Sequence, residues 1–156
     1  MAWERLWALT REFYGAARAH LKPGGILSQW LPLHELRRDD VAVALKTVTS
    51  MFDHVIVFAN RSDAVVLAST APFRVDPELV ARRLLIPEVS GDLAYIGITV
   101  DQVLPRLEKP QLSAEEVAAL ARRVSDLNRD DLPVLEFATA RNSFYFNKKL
   151  ILPQLR

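Results

Sequence analysis

A helix-stopping tetrapeptide, Lys22-Pro23-Gly24-Gly25, limits the folding of this chain more than any other feature, because it separates two stretches of different hydrophobic period. Before it, from Trp3 to Leu21, apolar residues recur at helical spacing. Leu6, Leu9, Phe13, Ala16 and Ala17 share one side, with Arg5, Glu12 and Arg18 mostly elsewhere. This predicts an amphipathic helix. Proline lacks the amide hydrogen that a helix needs, and glycine accepts the left-handed turn after a helix end. The run after the stop, Ile26 to Leu33, predicts a buried strand.

A second helix is expected from a cap at Asp39 or Asp40 through Phe52, with Val41, Leu45, Val48 and Phe52 on one stripe. Two short apolar runs follow, His54 to Ala59 and Ala64 to Ser69, joined by the polar turn Asn60-Arg61-Ser62-Asp63. They suggest an antiparallel hairpin at a sheet edge. Parallel neighbours need a helical crossover and only the last pair can share a tight turn, so the series predicts a layered α/β fold. Beyond Pro72 the pattern turns helical over Pro77 to Leu85, Val100 to Leu107 and Ser113 to Leu127, with breaks at Pro87, Gly91, Gly97 and Pro110. Ser113 and Glu116 form a capping box that marks one of those starts. From Pro133 to Arg156, where Phe144, Tyr145 and Phe146 stand out, no pattern assigns an element. The expected division is 1–72 for the α/β part, 73–141 for a helical appendage and 142–156 for a tail.

Several function classes drop out on composition. Lys plus Arg number 20 against 19 for Asp plus Glu, a balance too even to draw nucleic acid or anionic lipid. With no cysteine there is no disulfide, thiolate metal site or thiol nucleophile, which suits a reducing compartment and a cytoplasmic location. The longest apolar stretches, such as Val55 to Ala59, fall far short of the roughly 20 residues a spanning helix needs. Trp3, Glu4, Arg5 and Trp7 do not make a signal peptide.

Candidate site residues are few. Gly24 and Gly25 follow a helix and lead into a strand, the reverse of a phosphate-cradling loop, and read as a plain turn. His20, His34 and His54 lack metal-site spacing. His34 and Glu35 lie just past the strand from Ile26, where ligands of α/β sheets bind. Near the end of that strand Gln29 could hydrogen-bond a ligand and Trp30 could wall a pocket, or they could serve the sheet alone. Asn128, Asp130, Asp131 and Glu136 gather around Pro133, either to attract a cation or as ordinary turn residues. The pairs Arg37-Arg38, Arg82-Arg83 and Arg122-Arg123 read as solvated faces, and no Ser, His and Asp order at a nucleophile elbow is visible.

Three blocks together resemble spermidine synthase-like proteins: Arg11-Glu12-Phe13-Tyr14, then the run from Leu21 through Leu33 that reads LKPGGILSQWLPL, then Leu127 through Phe137, LNRDDLPVLEF. The likeness is closest to the bacterial branch often fused to a transporter-like membrane domain, and it covers about Trp3 to Arg141. It implies the second half of a Rossmann-like, methyltransferase-type sheet: a crossover helix, a strand, another helix and an edge hairpin. In that family an aminopropyl group moves from decarboxylated S-adenosylmethionine to putrescine, the amine attacking a carbon beside the sulfonium.

The family's glycine-rich turn, its ribose-binding acid and its catalytic Asp loop all precede the helix that starts near Trp3. The resemblance therefore implies a fragment with no catalytic residues or bound cofactor of its own. Its expected partner is a chain supplying the N-terminal half, or a second copy in a homodimer. By the same likeness Gln29 matches a polar residue on the amine side of the pocket, with Trp30 beside it. Asn128, Asp130, Asp131 and Glu136 match a closing motif, with Arg129 where Thr is common. A rival expectation is a non-catalytic interaction module, pairing through the exposed edge of the truncated sheet.

Overall fold

The computed structural model describes residues 9–74, 76–107 and 109–143. Among them the chain is mixed α/β, with seven helices and one three-stranded antiparallel sheet. It opens with α1 (Arg11–His20), β1 (Ile26–Pro32), α2 (Arg38–Thr49), β2 (His54–Ala59) and β3 (Asp63–Ser69), the alternation that the periodicity predicts. Two compact units result: a sheet unit that runs to Pro72 and resumes at Gln111, and a helical unit, Phe73–Pro110.

Local chemistry sets the boundaries. Leu9 and Thr10 precede α1 instead of lying within it, because Thr10 is extended and its Oγ1 accepts the Phe13 amide at 3.2 Å. The expected helical residues 3–8 lie outside the described residues. After α1, Gly24 has a φ of 72° and Gly25 donates its amide to the Lys22 carbonyl at 2.8 Å. A Cβ on Gly25 would meet that carbonyl oxygen at 2.8 Å, so the turn requires glycine twice over. The second helix starts at Arg38, not after an aspartate cap: Asp40 reaches back and accepts the Arg37 amide at 2.9 Å. It ends at Thr49, and Phe52 is buried beyond it.

The sheet departs from expectation in two ways. The hairpin of β2 and β3 forms, but the sheet order is β1-β3-β2, with β3 antiparallel to both neighbours. β1 and β2 therefore run parallel without touching, and α2 crosses over the strand between them. Because β1 is an edge strand it is not buried along its length: Ile26 is 52% and Trp30 37% exposed, and only Leu31 and Pro32 are fully covered. Pairing sets Leu27, Gln29 and Leu31 in rows with Ala68, Val66 and Ala64 of β3 and with Val55, Val57 and Ala59 of β2. This face meets the core, which includes Tyr14, Leu36, Val41, Leu45, Val48 and Phe52. The opposite face carries Ile26, Trp30, Val65, Leu67, Ile56 and Phe58, half-buried or exposed.

The helical unit holds α3 (Pro77–Leu84), α4 (Pro87–Tyr95) and α5 (Val100–Leu107), with no buried residue in any of the three. Helix α4 is absent from the sequence pattern, where Pro87 and Gly91 read as breakers. Pro87 instead occupies the first helical turn, where its missing amide costs nothing.

From Gln111 the chain returns to the sheet. Leu112 exchanges two backbone bonds of 3.1 Å with Val57, and Gln111 Oε1 accepts the Ala59 amide at 2.7 Å. These contacts seal the outer edge of β2. Next comes α6 (Ala114–Ala121), whose capping box forms as predicted, with Ser113 N to Glu116 Oε2 at 2.9 Å and Glu116 N to Ser113 Oγ at 3.3 Å. It stops well short of Leu127, and Lys46 Nζ donates to the carbonyl of Val124 at 2.6 Å. The last element is α7 (Glu136–Ser143), in a stretch the sequence left unassigned. Residues 144–156 lie outside the described residues. No helix among the described residues is long and apolar enough to cross a membrane.

Candidate functional site

The expected site residues fall into two groups. The first lies at and just beyond the carboxyl end of β1. Gln29 and Trp30 are consecutive strand residues, so they point to opposite faces, with Gln29 on the core side. Gln29 Nε2 donates to the Trp30 carbonyl at 3.0 Å, and the Trp30 indole donates to Asp63 Oδ1 at 3.1 Å. His34 is tied to the turn between β2 and β3: its backbone amide (3.2 Å) and its ring Nδ1 (3.1 Å) both reach the Ser62 carbonyl.

A carbonyl can only accept, so the ring donates to it from Nδ1. Nε2 lies 3.6 Å from Glu35 Oε1. The histidine side chain is 54% exposed and the glutamate 23%, so the pair is open to a ligand.

The second group serves the fold. Asn128 is wholly buried and joins three elements. Its amide donates to Thr47 Oγ1 of α2 at 2.9 Å, its carbonyl accepts the Arg11 amide opening α1 at 2.8 Å, and its Oδ1 accepts the Leu135 amide at 3.0 Å. Asp130 offers its amide to Glu12 Oε2 at 3.0 Å. Asp131 takes Arg129 Nε at 2.8 Å and forms a second bond with the same guanidinium, an exposed bidentate pair that holds Arg129 in its cationic form. The tight link Arg129 to Leu132 closes the turn, and Glu136 opens α7. Of these acids Asp131 is paired with Arg129, and Asp130 ties the turn to α1 through its backbone amide.

Asn142 connects α7 to the first group, and sequence reasoning missed it. Its Nδ2 donates to the Glu35 carbonyl at 3.0 Å and to Asp40 Oδ2 at 2.8 Å. Asp40 is 4% exposed and thus holds both the α2 start and the end of the β1 loop. No periodic or motif signal marks Asn142, whereas Asp63 and Ser62 were visible as turn residues without a hint of their partners. Of the remaining histidines, His20 donates its ring Nδ1 to the carbonyl of Ala16 one turn back at 2.8 Å. Comparison of the chain with family models, with curated proteins and with solved structures gives no match.

Proposed function

We propose that this chain contributes the C-terminal half of a spermidine synthase-like, aminopropyltransferase-type domain on a Rossmann-like sheet, working in the cytoplasm. The nucleotide-gripping half comes from residues outside these 156, in the same polypeptide or another. Decarboxylated S-adenosylmethionine would bind only once that half is in place.

The sheet carries this reading. β1 and β2 run parallel with α2 as their crossover, as in a doubly wound fold, and β1 stands at an edge where a further strand can add. Sheets of that class are covered on both faces. The second face here, with Ile26, Trp30 and Val65 exposed, fits a sheet that continues under more helices. Glu35, an acid just past the strand end where such folds bind ligands, adds chemistry in keeping with an amine substrate.

Joining this chain behind the cofactor half of a bacterial spermidine synthase tests the proposal. Calorimetric titration with decarboxylated S-adenosylmethionine should give one site per fusion and no heat with this chain alone. A folded fusion that stays silent, or stoichiometric binding by the chain alone, would overturn it.

A further inference from the structure

We infer that Ser125 is a phosphorylation site, modified by a serine kinase that reads arginines ahead of its target, with Lys46 of α2 and the Arg122-Arg123 pair receiving the phosphate. The inference is independent of the aminopropyltransferase reading.

The sequence singles out this hydroxyl. Arg122 and Arg123 stand three and two residues before Ser125, and no other serine or threonine of the chain has basic residues at both of those positions. A kinase whose substrate groove carries acidic side chains at the two matching subsites selects Ser125 by charge. The fold leaves the target within reach. Arg122, Arg123 and Ser125 are all exposed, and residues 124–128, beyond the end of α6, have no regular secondary structure. The hydroxyl donates to Asp126 Oδ1 at 3.1 Å, a bond between exposed neighbours that water can replace at little net cost.

Packing adds a third cation that the local sequence does not contain. Lys46 Nζ reaches the Val124 carbonyl at 2.6 Å, so its ammonium lies beside the residue that precedes Ser125. A phosphate on Oγ carries about −1.5 to −2 charges at neutral pH and three strong acceptor oxygens. Asp126 opposes that charge, whereas Lys46, Arg122 and Arg123 favour it. At the end of α6 the two arginines also suit the helix dipole, a role that calls for neither a serine after them nor a lysine from α2.

ATP is the phosphoryl donor. The bond from its γ-phosphorus to the bridging oxygen breaks, a bond from that phosphorus to Ser125 Oγ forms, the hydroxyl proton passes to the kinase's catalytic aspartate, and ADP leaves. No other reactant is needed.

The full chain is incubated with magnesium ATP and the catalytic subunit of cyclic-AMP-dependent protein kinase, which has this arginine preference, and mapped by mass spectrometry. One phosphate should appear, on Ser125. Ser62, which is exposed but has an arginine only at the preceding position, should stay unmodified. Replacing both arginines, Arg122→Ala with Arg123→Ala, should slow the reaction at least about tenfold, the loss of one or more hydrogen bonds to a charged group. Phosphorus NMR then reads the second ionisation of the phosphate, which lies near pH 6 for a free phosphoserine. It should fall at lower pH in the unaltered chain than in Lys46→Met, with Lys46→Arg restoring the low value. No phosphate on Ser125, modification of Ser62 at an equal rate, full reactivity without the arginines, or the same phosphate titration with and without Lys46 would overturn the proposal.

Discussion

Thr47 offers the sharpest test of how the chain from Asn128 onward is held to the sheet unit. It is fully buried in α2, donates to the Val43 carbonyl at 2.7 Å and accepts the Asn128 amide at 2.9 Å. Thr47→Val keeps the size and the β-branching, so helix propensity barely changes. It removes the only feature that Asn128 N requires, an oxygen. A buried amide left without an acceptor costs about 1–3 kcal/mol. With a loss of about 2 kcal/mol and a urea dependence of about 2 kcal/mol per molar, the midpoint should fall by about 1 M. Tryptophan fluorescence is the assay, because Trp30 lies in β1 and Phe73–Pro110 contains no tryptophan. Thr47→Ser keeps the oxygen and loses one methyl, worth about 1 kcal/mol, and should unfold between the two. If Thr47→Val unfolds with the unaltered chain, or Thr47→Ser is the more damaging change, the latch assigned to Asn128 is wrong.

Asp40→Ala deprives Arg37 N of its side-chain acceptor and Asn142 Nδ2 of one of its two, and a loss of about 2 kcal/mol should appear in calorimetry as a Tm lower by about 5 °C. Asn142→Ala should cost less, since the Arg37 bond survives. Gly24→Ala forces a β-carbon into the left-handed region and should destabilise by about 1 kcal/mol in urea melts. Gly15→Ala, inside α1 with open space around it, should gain about 0.5–1 kcal/mol in the same assay. Burial pushes the Tyr14 phenol above its ordinary range, so the folded chain keeps a proton that the unfolded chain gives up near pH 10. Its contribution is whole below that pH and declines above it. Tyr14→Phe should flatten the alkaline fall in stability between about pH 10 and 11, and an unchanged slope would remove Tyr14 from the account.

Where local chemistry decides, the sequence was readable. The Lys22 to Gly25 stop, the Ser113 to Glu116 box, the hairpin turn at Asn60 to Asp63 and the run of elements through β3 all follow from side chains acting on neighbouring backbone. What escaped depends on contacts distant in sequence. Nothing in Ile26 to Leu33 says that β3 will fold back beside it and leave it at an edge, since an apolar run looks the same at an edge and in the middle. The overlong reading of α6 has the same origin: Arg122 through Leu127 keep an apolar rhythm, but the Val124 carbonyl is drawn to Lys46, a residue 78 positions away. The Asn128 to Glu136 group was legible as a cluster and not as a role. Asn128 takes its meaning from Thr47 and Arg11, both far off in sequence.

The return of the chain at Gln111 and Leu112 gives the stretch from Phe73 to Pro110 an unusual latitude. The departure point, Ser69, is level with His54 at one end of β2, and the return is clamped at Val57 and Ala59 farther along the same strand. Those two anchor points differ by a handful of residues along the strand, on the order of 10–17 Å. Any connection able to bridge that gap would satisfy the sheet, so the intervening helices are free to lengthen, shrink or be exchanged between related proteins while the strands keep their alignment.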